Sequence, residues 1–216
     1  MKINEKIYNV DSSIYEPTNT FIINTNHKQE ELKNKAIKAH QANNIIEAYK
    51  YYELLIQSGF TNPIVYSNYA VICIELGNPK KAKQIYHKSI KLFPNNYNSY
   101  ANLGALLRDS GQPKEAETYI RKALEIKSDH AESYMNLGLL SIDLYKLQDA
   151  EYFFKKAIKY KSNYLDAHIK LGMTLVDLKK YDEAFYSFLK STKIFKNSSY
   201  IFLLLQDHYM ILIHHL

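Results

Sequence analysis

SYANLGALLRDSGQPKEAETYIRKALEI, residues 99–126, reads as two short helices joined by a turn. Tyr100, Leu103, Gly104 and Leu107 stand at i, i+3, i+4 and i+7, the spacing that gathers side chains on one face of a 3.6-residue helix. Ala116, Ile120, Ala123 and Leu124 form such a face again downstream. Between them lies Asp109-Ser110-Gly111-Gln112-Pro113. Glycine accepts the backbone that ends a helix, and proline is pre-set for the first turn of the next one. Gly104 and Ala116 fall where two such helices would cross, and their missing or single-carbon side chains let the backbones approach. The stretch therefore predicts helix, turn, helix.

The same unit recurs. Ala48, Ala82, Ala116, Ala150 and Ala184 are each 34 residues apart. Four residues after them stand Tyr52, Tyr86, Ile120, Phe154 and Phe188; twelve before them stand Ala36, Ala70, Gly104, Gly138 and Gly172. This divides the chain into units at 29–62, 63–96, 97–130, 131–164 and 165–198. One hairpin cannot cover its apolar faces alone, so the units must stack into an all-α solenoid.

Period and pattern together resemble the tetratricopeptide repeat (TPR), and residues 99–126 and 133–158 match it with few departures. The proline that usually ends the second helix survives only as Pro94, and Lys35 stands in the first unit where leucine is expected. The resemblance implies a right-handed solenoid whose first helices line a concave groove, and a non-catalytic scaffold or adaptor that binds protein or peptide there. A second reading is the substrate-recognition region of a larger, glycosyltransferase-like transferase truncated at or near Leu216; coding sequence beyond Leu216 would favour it.

Opposite the apolar stripe of each first helix runs a polar one. Asn34, Asn68, Asn102, Asn136 and Lys170 are equivalent positions, as are Gln41, Glu75, Asp109, Asp143 and Asp177. Asparagine is a poor residue for a helix interior, so four in five units call for a reason. Common descent of the repeats is one. The other is that an amide, being donor and acceptor at once, can bond the backbone of an extended peptide. The row resembles the asparagine ladder of O-linked N-acetylglucosamine transferases. The clamp that holds chaperone tails needs paired cations; here Lys33 and Arg108 stand without a second one beside them, and Arg108 joins the candidate groove residues. The acids would favour lysine or arginine on the partner. Ser67, Val71, Ile74, Met135, Leu139, Ile142, Ile169, Met173 and Val176 form an apolar flank for packing or for the partner's side chains.

Composition restricts the alternatives. The chain has 216 residues, 46% hydrophobic and 23% charged, with net charge +6. Lysines such as Lys88, Lys122, Lys156 and Lys190 recur toward the ends of second helices, where they complement the helix dipole. A nucleic-acid surface would combine arginine with aromatics, so nucleic acid is not the expected partner. The single Cys73 sits on a buried stripe and forms no internal disulfide. All six glycines serve turns, helix ends or helix crossings, leaving none for a phosphate loop. No cofactor, metal or catalytic residue is expected. With no signal-peptide core and no run of ~20 apolar residues, the expectation is a cytoplasmic protein without a transmembrane segment. Residues 1–28 read as a polar, flexible leader. Residues 199–216 read as a further helix, too apolar for one buried stripe, through which a second copy or a further domain would dock.

Overall fold

The computed structural model describes residues 26–194, and every regular element among them is an α-helix. In order they are α1 (Asn26–Gln41), α2 (Ile45–Gln57), α3 (Pro63–Glu75), α4 (Pro79–Leu92) and α5 (Tyr97–Asp109). They continue with α6 (Pro113–Ile126), α7 (Ala131–Asp143), α8 (Leu147–Tyr160), α9 (Leu165–Asp177) and α10 (Tyr181–Ile194). Helix α1 opens at Asn26, within the stretch read as a leader. The helix anticipated over 199–216 lies outside the described residues.

Each hairpin turn is built alike. Asn43, Gly77, Gly111, Tyr145 and Lys179 occupy one repeat position, and all have positive φ, from +56° to +74°. The next residue donates its N–H back to the helix: Asn78 to the Cys73 carbonyl at 2.8 Å and Lys146 to that of Ser141 at 2.8 Å. This left-handed turn satisfies the last carbonyls of the first helix. A side chain there costs about 1–2 kcal/mol relative to glycine, partly offset by glycine's freer unfolded chain. Tyr145→Gly and Lys179→Gly are therefore each expected to stabilise the protein by about 0.5–1 kcal/mol. Urea unfolding midpoints check it, and a fall in midpoint would contradict the turn assignment. Entry into the second helix is also local: Pro79 and Pro113 stand in the first turn, and the Asn78 side chain accepts from the Lys81 N–H at 3.0 Å.

Contacts divide the chain into two compact units that part between Phe60 and Thr61. In the first, α1 and α2 pair over Ala36, Ala48, Tyr52 and Leu55, all fully buried. The Gln29 amide of α1 donates to the Ser58 hydroxyl at 3.2 Å.

In the second unit α3–α4, α5–α6, α7–α8 and α9–α10 pair as hairpins. Each second helix also packs on the next first helix, and α3, α5 and α7 touch in succession. Tyr86, Ile120, Phe154 and Phe188 are fully buried one per hairpin. Facing the last two are glycines. A Cβ on Gly138 would stand 2.4 Å from Phe154 Cε1, and one on Gly172 would stand 2.6 Å from Phe188 Cε1. The close helix crossing read from the sequence is thus present. Cys73 is a buried thiol, and His168 is a packed core histidine bonded to the Ser162 carbonyl at 3.0 Å.

Candidate functional site

Because second helices pack against one side of the first helices, the other side of α3, α5, α7 and α9 stays partly open. Asn68, Asn102, Asn136 and Lys170 lie half-buried along it, while Glu75, Asp109, Asp143 and Asp177 are exposed. Asn34 and Gln41 are exposed on α1, within the first unit.

Two of the amides have duties inside the fold. Asn136 Nδ2 donates to the Ala101 carbonyl of α5 at 3.4 Å, which leaves its Oδ1 without a protein partner among the described residues. Asn102 approaches the buried Tyr86 hydroxyl of α4 without closing a hydrogen bond of good geometry. Burial holds that phenol far above the usual tyrosine range, and the Asn102 amide offsets part of the shift. Asn136 is thus anchored at its base with its oxygen open at the rim.

The acidic row is not uniform. Arg108 Nη2 meets Asp109 Oδ1 at 2.6 Å, and its Nε stands 3.6 Å from Asp143 Oδ2 of the next repeat. Its side chain is only 16% exposed, and its Nη1 is buried without a partner. Arg108 therefore ties two rungs together, whereas Glu75 and Asp177 carry no ion pair among the described residues. The sequence placed Arg108 beside Asp109; the bridge to Asp143 depends on how repeats stack, which spacing alone does not give. Lys33, on α1, is paired with Glu30.

The apolar flank divides in two. Ser67 and Met135 are buried by packing. Ile74 and Met173 are 38% and 41% exposed, and Val71, Leu139, Ile142, Ile169 and Val176 are half-buried. The open face thus has an apolar strip beside its amides and acids. Among the described residues no group of three His, Cys, Asp or Glu side chains could hold a metal ion, and no helix is long and apolar enough to cross a membrane.

One titratable cluster lies at the junction of α6 and α7. His130 is 8% exposed; its Nδ1 pairs with Ser133 Oγ at 2.8 Å and its Nε2 with Glu132 Oε2 at 3.2 Å. Its ring lies edge-on to Tyr97, with centroids 4.8 Å apart. Burial lowers its pKa; Glu132 and Asp129 raise it in part, while Lys127 and Lys161 reinforce the lowering. An unfolded histidine titrates near ~6.5, so below that pH the unfolded chain binds the proton first and stability falls toward the depressed native pKa. Urea midpoints should therefore drop from pH 7.5 to 5 more steeply in the wild type than in His130→Gln. Parallel curves would show that His130 does not carry the effect.

Models of the tetratricopeptide repeat match residues 62–129, 102–164 and 165–198. No curated protein sequence matches significantly. Among solved structures, Pseudomonas aeruginosa pilF is similar at TM-score 0.74 and 17% identity, covering 85% of this chain and 84% of that one. A thermophilic TPR protein of Thermus thermophilus, TTC0263, is similar at TM-score 0.71 and 14% identity, covering 84% and 99%. YrrB, described as a TPR protein with an unusual peptide-binding site, gives TM-score 0.57 at 19% identity, covering 79% and 88%.

Proposed function

This chain belongs to the tetratricopeptide-repeat family, and from that premise we propose that it binds an extended segment of another polypeptide on the open face of α3, α5, α7 and α9. The observation that carries the reading is a row of half-buried amides, one of them bonded across to α5, beside exposed acids and an apolar strip, on the face of the first helices that the second helices leave open. Helical walls offer no spare backbone groups, so side-chain amides are what this face has to bond a peptide backbone. The peptide-binding site described for YrrB, similar in fold, supports this use of the architecture. With Arg108 occupied, the unpaired Glu75 and Asp177 at the two ends of the row favour a segment carrying lysine or arginine near its ends. No covalent step is assigned to the face; its role is to hold.

Affinity capture from the cells of origin, wild type beside Glu75→Lys/Asp177→Lys, tests this. Both sites are exposed, so the variant should fold normally. The expected result is a prey protein kept by the wild type, weakened by salt, and lost by the double reversal. Equal capture by both would remove the acids from the site.

A further inference from the structure

The second helices form seams of their own on the far side of the stack, and one seam differs from its neighbours. Between α4 and α6, Lys83 Nζ donates to Gln112 Oε1 at 3.2 Å, and the His87 and Tyr119 rings meet edge-on at 6.0 Å. Between α8 and α10, Lys180 bonds Glu151 at 2.8 Å and Lys155 bonds Glu183 at 3.0 Å. Those two seams are laced shut.

Between α6 and α8 the same four charge types recur one repeat earlier: Glu117 for Glu151, Arg121 for Lys155, Lys146 for Lys180 and Asp149 for Glu183. They do not lace. Arg121 pairs along its own helix with Glu117 at 2.7 Å, as Lys155 does with Glu151, but it makes no ion pair with α8, and Lys146 and Asp149 have no charged partner among the described residues. Glu117 is consequently 40% exposed, against 12% for Glu151. What remains is a groove of about 510 Å³, walled on one side by Tyr152 and Phe153 of α8 and on the other by Arg121 and Leu124 of α6, floored by Leu137, with Leu140 and Leu144 in a smaller hollow alongside. Tyr152 is 55% exposed and Leu144 39%.

We propose that this seam is a second docking site and that its occupant is an amphipathic helix of a protein partner. The walls are helices whose backbone groups are already bonded, so a strand could add no ladder. An occupant must satisfy its own backbone, as a helix does. Its aliphatic stripe lies over Leu137, between the Tyr152/Phe153 pair of α8 and Leu124 of α6. Its charges include a carboxylate for Lys146 and a cation for Asp149, supplying from outside what Glu151 and Lys155 supply within the next seam. The site is separate from the amide-lined face and rests on different residues.

The test is a selection of phage-displayed, randomised helical 15-mers on the wild-type protein, with each selected peptide synthesised and measured by fluorescence anisotropy. The expected winners carry an apolar i, i+4, i+7 stripe flanked by an acid and a base. They should weaken about tenfold or more on Tyr152→Asp, and stay unchanged on Asn68→Ala/Asn102→Ala/Asn136→Ala. Lys146→Glu should weaken them too, and an acid-to-lysine exchange in the peptide should restore binding. Because Tyr152 and Lys146 are exposed, both variants keep the fold, which circular dichroism verifies. Selection that yields no helix, or helices that bind Tyr152→Asp undiminished, would overturn the proposal.

Discussion

Phe154→Ala is expected to lower stability by about 3–5 kcal/mol, as large-to-small changes of buried aromatics do. The ring is fully buried among Ala150, Ala157, Leu171 and Phe188, so its loss loosens two hairpins at once. Gly138→Ala is the companion test, and its sign is the informative part. Alanine is the better helix residue by about 1 kcal/mol, so a free helix would gain. Here the new Cβ would lie 2.4–2.9 Å from three atoms of the Phe154 ring. A net loss of about 1–3 kcal/mol is therefore expected from overpacking. Shortening the ring should relieve it: in a Phe154→Leu background, Gly138→Ala should cost much less than in the wild type. Urea unfolding of the four proteins in this cycle gives the coupling. Additive losses would mean that the helices do not cross where the coordinates place them.

The triple variant Asn68→Ala/Asn102→Ala/Asn136→Ala should separate stability from binding. Each asparagine is half-buried on the open face, and alanine is the stronger helix former. The only hydrogen bond given up that is seen within the fold at Asn102 and Asn136 is the long one from Asn136 to Ala101. At these two positions stability should hold or rise. Binding of a groove segment should fall, because three amide contacts worth about 0.5–1.5 kcal/mol each are removed. Together they amount to roughly a tenfold to thousandfold loss in affinity. If the asparagines were only relics of repeat duplication, the variant would be more stable and bind the same prey unchanged. Titration calorimetry with the captured prey, beside thermal unfolding of the free protein, reads both quantities.

How much of this was legible beforehand differs by level. The helices were, because apolar spacing and Ala/Gly columns encode faces and crossings, and packing then obeyed them at Gly138 and Phe154. Turn positions were legible where glycine marks them, at Gly77 and Gly111. They were silent at Tyr145 and Lys179, which adopt the same φ because the 34-residue register imposes it on them. The face bearing Asn102 and Asp109 was legible from helical periodicity. Its electrostatics were not: Arg108 reaches Asp143 only because neighbouring first helices lie side by side. The seams are the clearest limit. Glu117, Arg121, Lys146 and Asp149 repeat the charge pattern of the laced seam, yet Arg121 pairs only with its own helix where Lys155 pairs with both. Such pairings are decided by side-chain reach and rotamer, below the resolution of residue spacing.

The amide-lined face can be probed directly by photo-crosslinking. A benzoylphenylalanine at Ala105, half-buried on α5 among the amides and acids, is compared with one at Lys114, exposed at the start of α6. In cells of origin the Ala105 probe should give a covalent adduct with one partner protein, mapping to a short segment that carries lysine or arginine, and the Lys114 probe should not. An adduct from Lys114 with none from Ala105 would contradict the assignment of this face as the binding site.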